Sequence, residues 1–361
     1  MKGEAKTEDV EVKVAETEEM PSNPKVTVAI ACIASTVVSV SMILLNKAIV
    51  LSIPFGGGLV LLQNTATVFL VQSYRGCQIP NDFGWQAVQS NILCAVLFGA
   101  NTFTSMLSLT YLSVTTFTIL KNAQSIISYP LDYYLRGEQL KPVSIYLLFT
   151  ILLGTCAYCG HDLRTNVEGL AWASAHLLST TVYAVLTKMH LQEEGNRLNQ
   201  TLDLAWYNNV LSTPIVGAAA AIQALYTYTP LIKPECGLHC WIMVAISCFG
   251  GCAMSVTSIW TRALMSPVTF LAFNNLNKIP AIIISAALWP HLETANTTQE
   301  IMGIVLSLYG GLLYSISKQG DVNPMALFVS LAFSIALIPI MILGELSEQQ
   351  QEPKLNTTIS L

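Results

Sequence analysis

The chain has 361 residues, 53% of them hydrophobic and only 11% charged, with a formal net charge of −5. A soluble domain carries about 25% charged residues, and the mean hydropathy here is +0.54, so a soluble globular fold is excluded. The negative sign says little about partners, because seven of the acids crowd into the first 25 residues.

In chain order, residues 1–25 form a polar, acidic segment with few apolar side chains, expected to be a disordered cytosolic tail. It lacks a basic stretch followed by an apolar one, so no cleavable signal peptide is expected and the first span should serve as insertion signal. Apolar runs follow at 26–51, 55–74, 86–111, 114–135, 143–161, 168–190, 203–226, 239–263, 267–289 and 300–317. Most are close to the ~20 residues that cross a ~30 Å hydrocarbon core. The fold class is therefore an all-α polytopic membrane protein with a ten-helix core over 26–318. An eleventh run at 325–343, inside a C-terminal segment 319–345, is nearly charge-free and is read as a further crossing, with an interfacial or re-entrant helix as the alternative. Residues 346–361 are again polar.

Basic residues set the orientation. With the N-terminus cytosolic, the cytosolic side holds Arg75, Arg136, Lys141, Lys188, Arg197, Arg262 and Lys318, against only Arg164 and Lys233 on the luminal side. The core also repeats. Ser113–Asn122 aligns without gaps on Ser266–Asn275, matching Ser, Thr, Phe and the final Asn, and Leu45-Asn46-Lys47 more weakly resembles Leu186-Thr187-Lys188. Repeat one is thus 26–161 and repeat two 168–318. Five spans per half force opposite topologies, the inverted-repeat plan of many secondary transporters. Chance similarity between apolar helices is the competing explanation.

Three lysines stand inside apolar runs beside asparagines: Asn46-Lys47, Lys121-Asn122 and Asn277-Lys278. At 1.5 Å per residue, Lys278 lies ~16 Å into span nine and Lys121 ~12 Å into span four, too deep to snorkel easily. An intramembrane cation marks a functional site by default, and no acid lies at comparable depth. Several cations on one cavity suit a diphosphate. Lys47, nearer a helix end, could simply snorkel. Asparagines are the second signal: Asn208 and Asn209 follow Trp206-Tyr207 in span seven, and Asn274, Asn275 and Asn277 cluster in span nine. Their amides can read a base edge or sugar hydroxyls, or can act as interhelical glue. Ser255 and Ser258 in span eight add a weaker polar signal.

Other features point away from chemistry. His176 is a lone histidine read as a satisfied core residue. Asp132 and Arg136, at i and i+4, are expected to pair. Cys156 and Cys159 form a C-x-x-C in an apolar helix, read as packing, and Cys236 with Cys240 offers a luminal disulfide. Gly56-Gly57-Gly58 has no phosphate-loop pattern behind it. No catalytic constellation, metal site or cofactor motif is found, so the protein is not read as an enzyme.

The chain resembles the nucleotide-sugar transporters of the drug/metabolite transporter superfamily, most of all the GDP-mannose transporter branch. Trp206-Tyr-Asn-Asn209 looks like that branch's F-Y-N-N, and Asn274-Asn-Leu-Asn-Lys-Ile-Pro280 looks like its G-A-L-N-K-L-P. Thr118-Ile-Leu-Lys-Asn122 is similar to the span-four lysine segment. The resemblance implies that Asn208, Asn209 and Ser255 contact guanine and that Lys121 and Lys278 face the substrate. With Asn122, Tyr207, Asn274, Asn275 and Asn277 these make the expected substrate-binding set. The Gly-Ala pair is replaced by Asn274-Asn275, and the branch's sugar-facing tyrosines correspond to Phe270 and to Ser35, so the sugar is not specified.

The reading is a nucleotide-sugar antiporter of the Golgi membrane, or alternatively of the ER, importing a GDP-sugar such as GDP-mannose in exchange for GMP. The alternatives are a UDP-sugar or sugar-phosphate carrier, and a non-transporting membrane protein with the carrier fold. Partners are the nucleotide sugar, the nucleoside monophosphate and membrane lipid. Small residues at helix contacts suit a homodimer or intramolecular packing equally. Asn199, Asn296 and Asn356 each begin an N-x-[ST] sequon, and only a luminal sequon is glycosylated. Asn199 should stay bare and Asn356 should be modified only if 325–343 crosses. Mass spectrometry of the expressed protein checks this, and a glycan on Asn199 overturns the orientation.

Overall fold

The computed structural model describes residues 24–76, 84–136, 141–190, 197–226, 237–265, 267–290, 298–319 and 322–351. The tails, the loop carrying Cys236, the sequons at Asn296 and Asn356, and the side chains of Asp132 and Arg136 lie outside them. Among the described residues every element is helical: α1 Pro24–Ser52, α2 Gly56–Tyr74, α3 Trp85–Tyr111, α4 Val114–Leu120, α5 Gln124–Arg136, α6 Pro142–Thr165, α7 Val167–His190, α8 Arg197–Tyr226, α9 Leu238–Leu264, α10 Pro267–Leu276, α11 Lys278–Leu288, α12 Thr298–Gln319 and α13 Pro324–Gln351. Seven of these (α1, α3, α6, α7, α8, α9 and α12) are long and apolar enough to cross a membrane. The chain is a multi-pass membrane protein.

Three expected spans fall outside that seven for physical reasons. The α2 helix carries Gln63, Asn64, Thr65 and Thr67 at its centre, and these polar side chains lower its hydropathy. Spans four and nine are not continuous helices. Span four passes through a single 3₁₀ turn at Lys121–Ala123 between α4 and α5, and span nine breaks at Asn277 between α10 and α11. Lys121 and Asn277 share nearly the same backbone, φ −61°, ψ −19° and φ −63°, ψ −18°. Pro280 accounts for the second break, since it cannot donate to the carbonyl of Leu276 four residues back. The eleventh run is part of α13, whose described apolar portion, Pro324–Leu337, is shorter than a crossing. It packs on α6 and α12.

The helix boundaries repeat. Helices α3 and α9 start and end 153 residues apart, and α4 and α10 start 153 apart. The stops match as well: Leu112 after α3 (φ −103°, ψ 157°) and Met265 after α9 (φ −114°, ψ 153°) leave the helix in the same extended conformation. Packing follows this correspondence. The pairs α1–α9 and α3–α7, α3–α8 and α2–α9, α4–α6 and α10–α12 are each converted into the other when α1 is exchanged for α7, α2 for α8, α3 for α9, α4–α5 for α10–α11 and α6 for α12. The pairs α2–α8 and α6–α12 map onto themselves.

Lipid supplies no hydrophobic drive for helix association, so close packing must. The α6–α12 contact shows how. A Cβ on Gly154 would lie 2.5 Å from the Ser307 nitrogen, and one on Gly303 would lie 2.8 Å from the Gly154 oxygen. The two backbones touch because neither glycine has a side chain. Away from the core, Ile30, Ile33 and Val37 of α1 form an exposed apolar stripe, opposite the buried Ala31 and Ser35.

Lys47 neither snorkels nor faces a cavity. Its Nζ donates to the Leu109 carbonyl at 2.9 Å and the Leu112 carbonyl at 2.8 Å, supplying the end of α3 with donors that its last carbonyls lack and placing a cation at the negative end of the helix dipole. Lys47→Met should therefore cost about 1–3 kcal/mol for each carbonyl left unsatisfied. Thermal unfolding of the purified protein in detergent measures it.

Candidate functional site

A cavity of about 260 Å³ lies between α1, α2, α3, the broken α4–α5, α7, α8, α9 and α10. Its lining obeys the correspondence of the fold. On α3 and α9, and on α4–α5 and the α10–α11 segment, lining residues come in pairs 153 apart; on α1 and α7 they come in pairs 141 apart. Among the described lining residues only Asn46, Asn209 and four residues of α2 lack such a mate. Some pairs keep their chemistry, as Thr102 with Ser255, Ser105 with Ser258 and Phe117 with Phe270. Others diverge: Lys121 faces the place of Asn274, and Arg262 that of Leu109.

The divergent pairs make the cavity electropositive. Lys121 and Arg262 both line it, and no carboxylate is among the described lining residues. Lys121 is held with its Nζ 5.3 Å from the Phe117 ring centre. A cation facing a cavity in a low-dielectric interior is expensive, so Lys121 favours an anionic occupant. The floor of the cavity is a hydrogen-bonded layer. Gln63 Nε2 donates to Asn46 Oδ1 at 2.9 Å and to Ser247 Oγ at 3.2 Å, and Asn64 Nδ2 donates to Ser212 Oγ at 3.1 Å.

Five of the expected site residues line this cavity: Lys121, Asn209, Ser255, Asn274 and Asn277. Asn277 accepts from Thr36 Oγ1 at 2.7 Å, and Asn209 Nδ2 donates to the Ala205 carbonyl at 2.7 Å. The other five do not line it. Tyr207 is buried against Val71 and Trp206. Asn208 is fully buried behind the wall and donates its amide to the Tyr183 hydroxyl at 3.0 Å. Lys278 reaches only a small adjoining void of about 30 Å³, shared with Lys121 and Asn274. Its ammonium donates to Asn275 Oδ1 at 2.8 Å and to Asn122 Oδ1. Asn122 and Asn275 are themselves 153 residues apart, so one lysine is grasped by equivalent amides at both helix breaks. Those amides are anchored in turn on α12, Asn122 to Ser307 at 3.0 Å and Asn275 to the Gly311 carbonyl at 2.9 Å.

Several lining residues were not anticipated. Arg262, counted from the sequence among the cytosolic charges, lies two residues before the end of α9 and lines the cavity. Its guanidinium carbon sits 5.3 Å from the Tyr183 ring centre and 5.2 Å from that of Phe270. His176 lines the cavity rather than a closed core: its Nδ1 lies 3.1 Å from the Asn101 carbonyl and its ring 5.1 Å from that of Phe117. A signal existed in the sequence. The alignment of span four on span nine, extended four residues back, puts Arg262 opposite Leu109. Cys156 and Cys159 are free thiols, and Cys159 packs with Ile119 and Tyr158.

No family model matches the chain. Curated relatives do. It is 26% identical over 306 residues to the GDP-mannose transporter GONST2 of Arabidopsis thaliana, covering 82% of this chain and 80% of the relative. It is 28% identical over 302 residues to GDP-mannose transporter GONST1 of the same plant, covering 80% and 88%. A GDP-mannose transporter of Schizosaccharomyces pombe matches at 21% over 294 residues, covering 78% and 84%. A solved crystal structure superposes with a TM-score of 0.52 at 17% identity, covering 81% of this chain and 97% of its own, and so shares the fold. The class the fold defines is a multi-pass helical membrane protein. Within it, the resemblance to nucleotide-sugar transporters of the GDP-mannose branch extends over most of the chain, and these relatives are transporters, not enzymes.

The two lysines should separate in their effect on stability. Lys278→Met leaves two buried amide oxygens without their donor and should cost about 1–3 kcal/mol per oxygen. Lys121→Met removes a cation held by an aromatic face, a contact worth roughly 0.5–2 kcal/mol, and relieves an uncompensated charge. Melting of the two variants in detergent, side by side, tests this ordering.

Proposed function

We propose that this protein is a nucleotide-sugar antiporter, built as two inverted five-helix repeats, that brings a GDP-sugar into the Golgi lumen in exchange for GMP. The observation that carries the reading is the cavity at the junction of the paired halves, which holds Lys121 and has no carboxylate among its described lining residues. The relatives named as GDP-mannose transporters support the substrate class. Lys121 binds the diphosphate; Asn209, Ser255 and Asn274 offer amides and a hydroxyl to the base and sugar. Inverted repeats that meet at a central site favour alternating access, with the halves rocking about it. Lys278 clamps the two broken helices at that hinge and lies beside Lys121. GDP-mannose is the first sugar to test; Phe270 and Ser35 stand in the cavity wall where the branch carries tyrosines.

Exchange rather than net uptake follows from the charge. An empty cavity must carry its cations across a low-dielectric barrier, whereas a bound phosphate neutralises them. The experiment is uptake of labelled GDP-mannose, other GDP-sugars and UDP-sugars into proteoliposomes that are empty, GMP-loaded or UMP-loaded. GMP loading should accelerate GDP-sugar entry, and Lys121→Met should reduce it about 10-fold or more, the scale of one lost charge-assisted contact. Equal rates into empty and loaded vesicles would count against exchange. Faster exchange with UMP would favour a UDP-sugar, and near-normal exchange in Lys121→Met removes the phosphate role.

A further inference from the structure

The cavity holds one side chain that neither the lysines nor the asparagines account for. His176 is 4% exposed and lines the cavity at the place that Ser35 takes in the other half. With Thr180 and Tyr183 it sits at i, i+4 and i+7 on one face of α7, and all three line the cavity. Its Nδ1 lies 3.1 Å from the Asn101 backbone carbonyl. A carbonyl only accepts, so Nδ1 carries the hydrogen, and the neutral ring then keeps its lone pair on Nε2. Thr180 does not disturb this, because its hydroxyl, 3.4 Å from Nδ1, donates to Asn101 Oδ1. The Nε2 atom is buried and meets no hydrogen-bond donor among the described residues. A buried acceptor without a donor is costly, and the ring is fixed by its bond to α3 and by Phe117, whose ring centre is 5.1 Å away. The Lys121 ammonium stands 5.3 Å from the centre of that same Phe117 ring. The imidazole therefore neighbours the place assigned to the diphosphate. A diphosphate esterified at both ends has no hydrogen to donate, but the ribose and hexose bonded to it carry hydroxyls that do.

We propose that His176 Nε2 accepts a hydrogen bond from a hydroxyl of a sugar ring bonded to the phosphates held by Lys121, and so selects for a hydroxylated ligand. This deepens the nucleotide-sugar reading and rests on it. Asn101 is then a positioning residue: its backbone carbonyl sets which imidazole nitrogen carries the hydrogen, and its side chain occupies the Thr180 hydroxyl.

The test is ligand-induced thermal stabilisation of the full-length purified protein, with GDP-mannose, GDP and 2′,3′-dideoxy-GDP as probes. In the unaltered protein one step, from GDP-mannose to GDP or from GDP to the dideoxy compound, should itself weaken the apparent affinity roughly 3–10-fold, the scale of one neutral hydrogen bond. Equal affinity for all three overturns the inference without any variant. His176→Asn keeps an N–H for the Asn101 carbonyl but ends short of Nε2, and should weaken GDP-mannose by that same factor. His176→Gln extends an amide oxygen toward the place of Nε2 and should recover most of the loss. A loss in His176→Asn shared by GDP-mannose and GDP but absent with the dideoxy compound assigns a ribose hydroxyl. A loss confined to GDP-mannose assigns the hexose. An equal loss with all three probes marks a structural role, and unchanged affinities mark a resident water on Nε2; either result overturns the inference and leaves the carrier reading intact. No response of the unaltered protein to any of the probes overturns both.

Discussion

An ammonium group surrounded by hydrocarbon must find oxygen, and the way Lys278 does so organises the centre of this protein. Its donors reach the side-chain oxygens of Asn122 and Asn275, two residues at equivalent places on the two interrupted helices. Each asparagine uses its amide nitrogen on α12. One cation at the start of α11 therefore ties together the 3₁₀ turn after α4, α10 and α12, the elements that a break in the helix would otherwise leave loosest. The interruptions are tolerable in a membrane because their freed polar groups face protein or cavity rather than lipid. Without that grip the cavity wall that carries Lys121 would have no fixed position relative to its counterpart carrying Asn274.

The same interaction explains why three intramembrane lysines do three different things. Lys47 is consumed by the carbonyls that end α3. Lys278 is consumed by amides. Lys121 meets an aromatic ring and open space. Depth in the membrane does not distinguish them; the number of oxygens within reach does. A cation already satisfied by neutral oxygens adds little binding capacity of its own, whereas one held by a ring edge-on to a cavity retains its donors.

How much of this was legible in the sequence can be argued residue by residue. The multi-pass helical character follows from runs of apolar residues, and the match of Ser113–Asn122 with Ser266–Asn275 is enough to pair span four with span nine. The helix breaks were not legible at Lys121, where the 3₁₀ turn has no Pro or Gly to announce it; at Asn277 they were, through Pro280. Asn208 shows a deeper limit. Two adjacent asparagines on a helix point about 100° apart, so both cannot face one cavity equally. The motif names the pair, but only packing decides that Asn209 lines the cavity and Asn208 lies behind Tyr183. Arg262 was hidden for another reason: near the end of an apolar run, a basic residue looks like an interfacial anchor, and the turn of α9 that swings it inward leaves no trace in composition.

The paired lining residues finally separate frame from function. Pairs that retain small hydroxyls, such as Ser105 with Ser258 and Ser39 with Thr180, permit close helix approach equally in both halves. Pairs that lose that equality are those that hold charge or large polar groups: Lys121 against Asn274, Arg262 against Leu109, His176 against Ser35, Tyr183 against Met42. A ligand bound by two equivalent walls could lie in either direction with equal energy. Concentrating both lining cations on one member of each pair removes that degeneracy, because a phosphate group then has one favourable end of the cavity and an uncharged molecular remainder has the other. The frame of the fold is thus nearly symmetric while the chemistry of its cavity is directional.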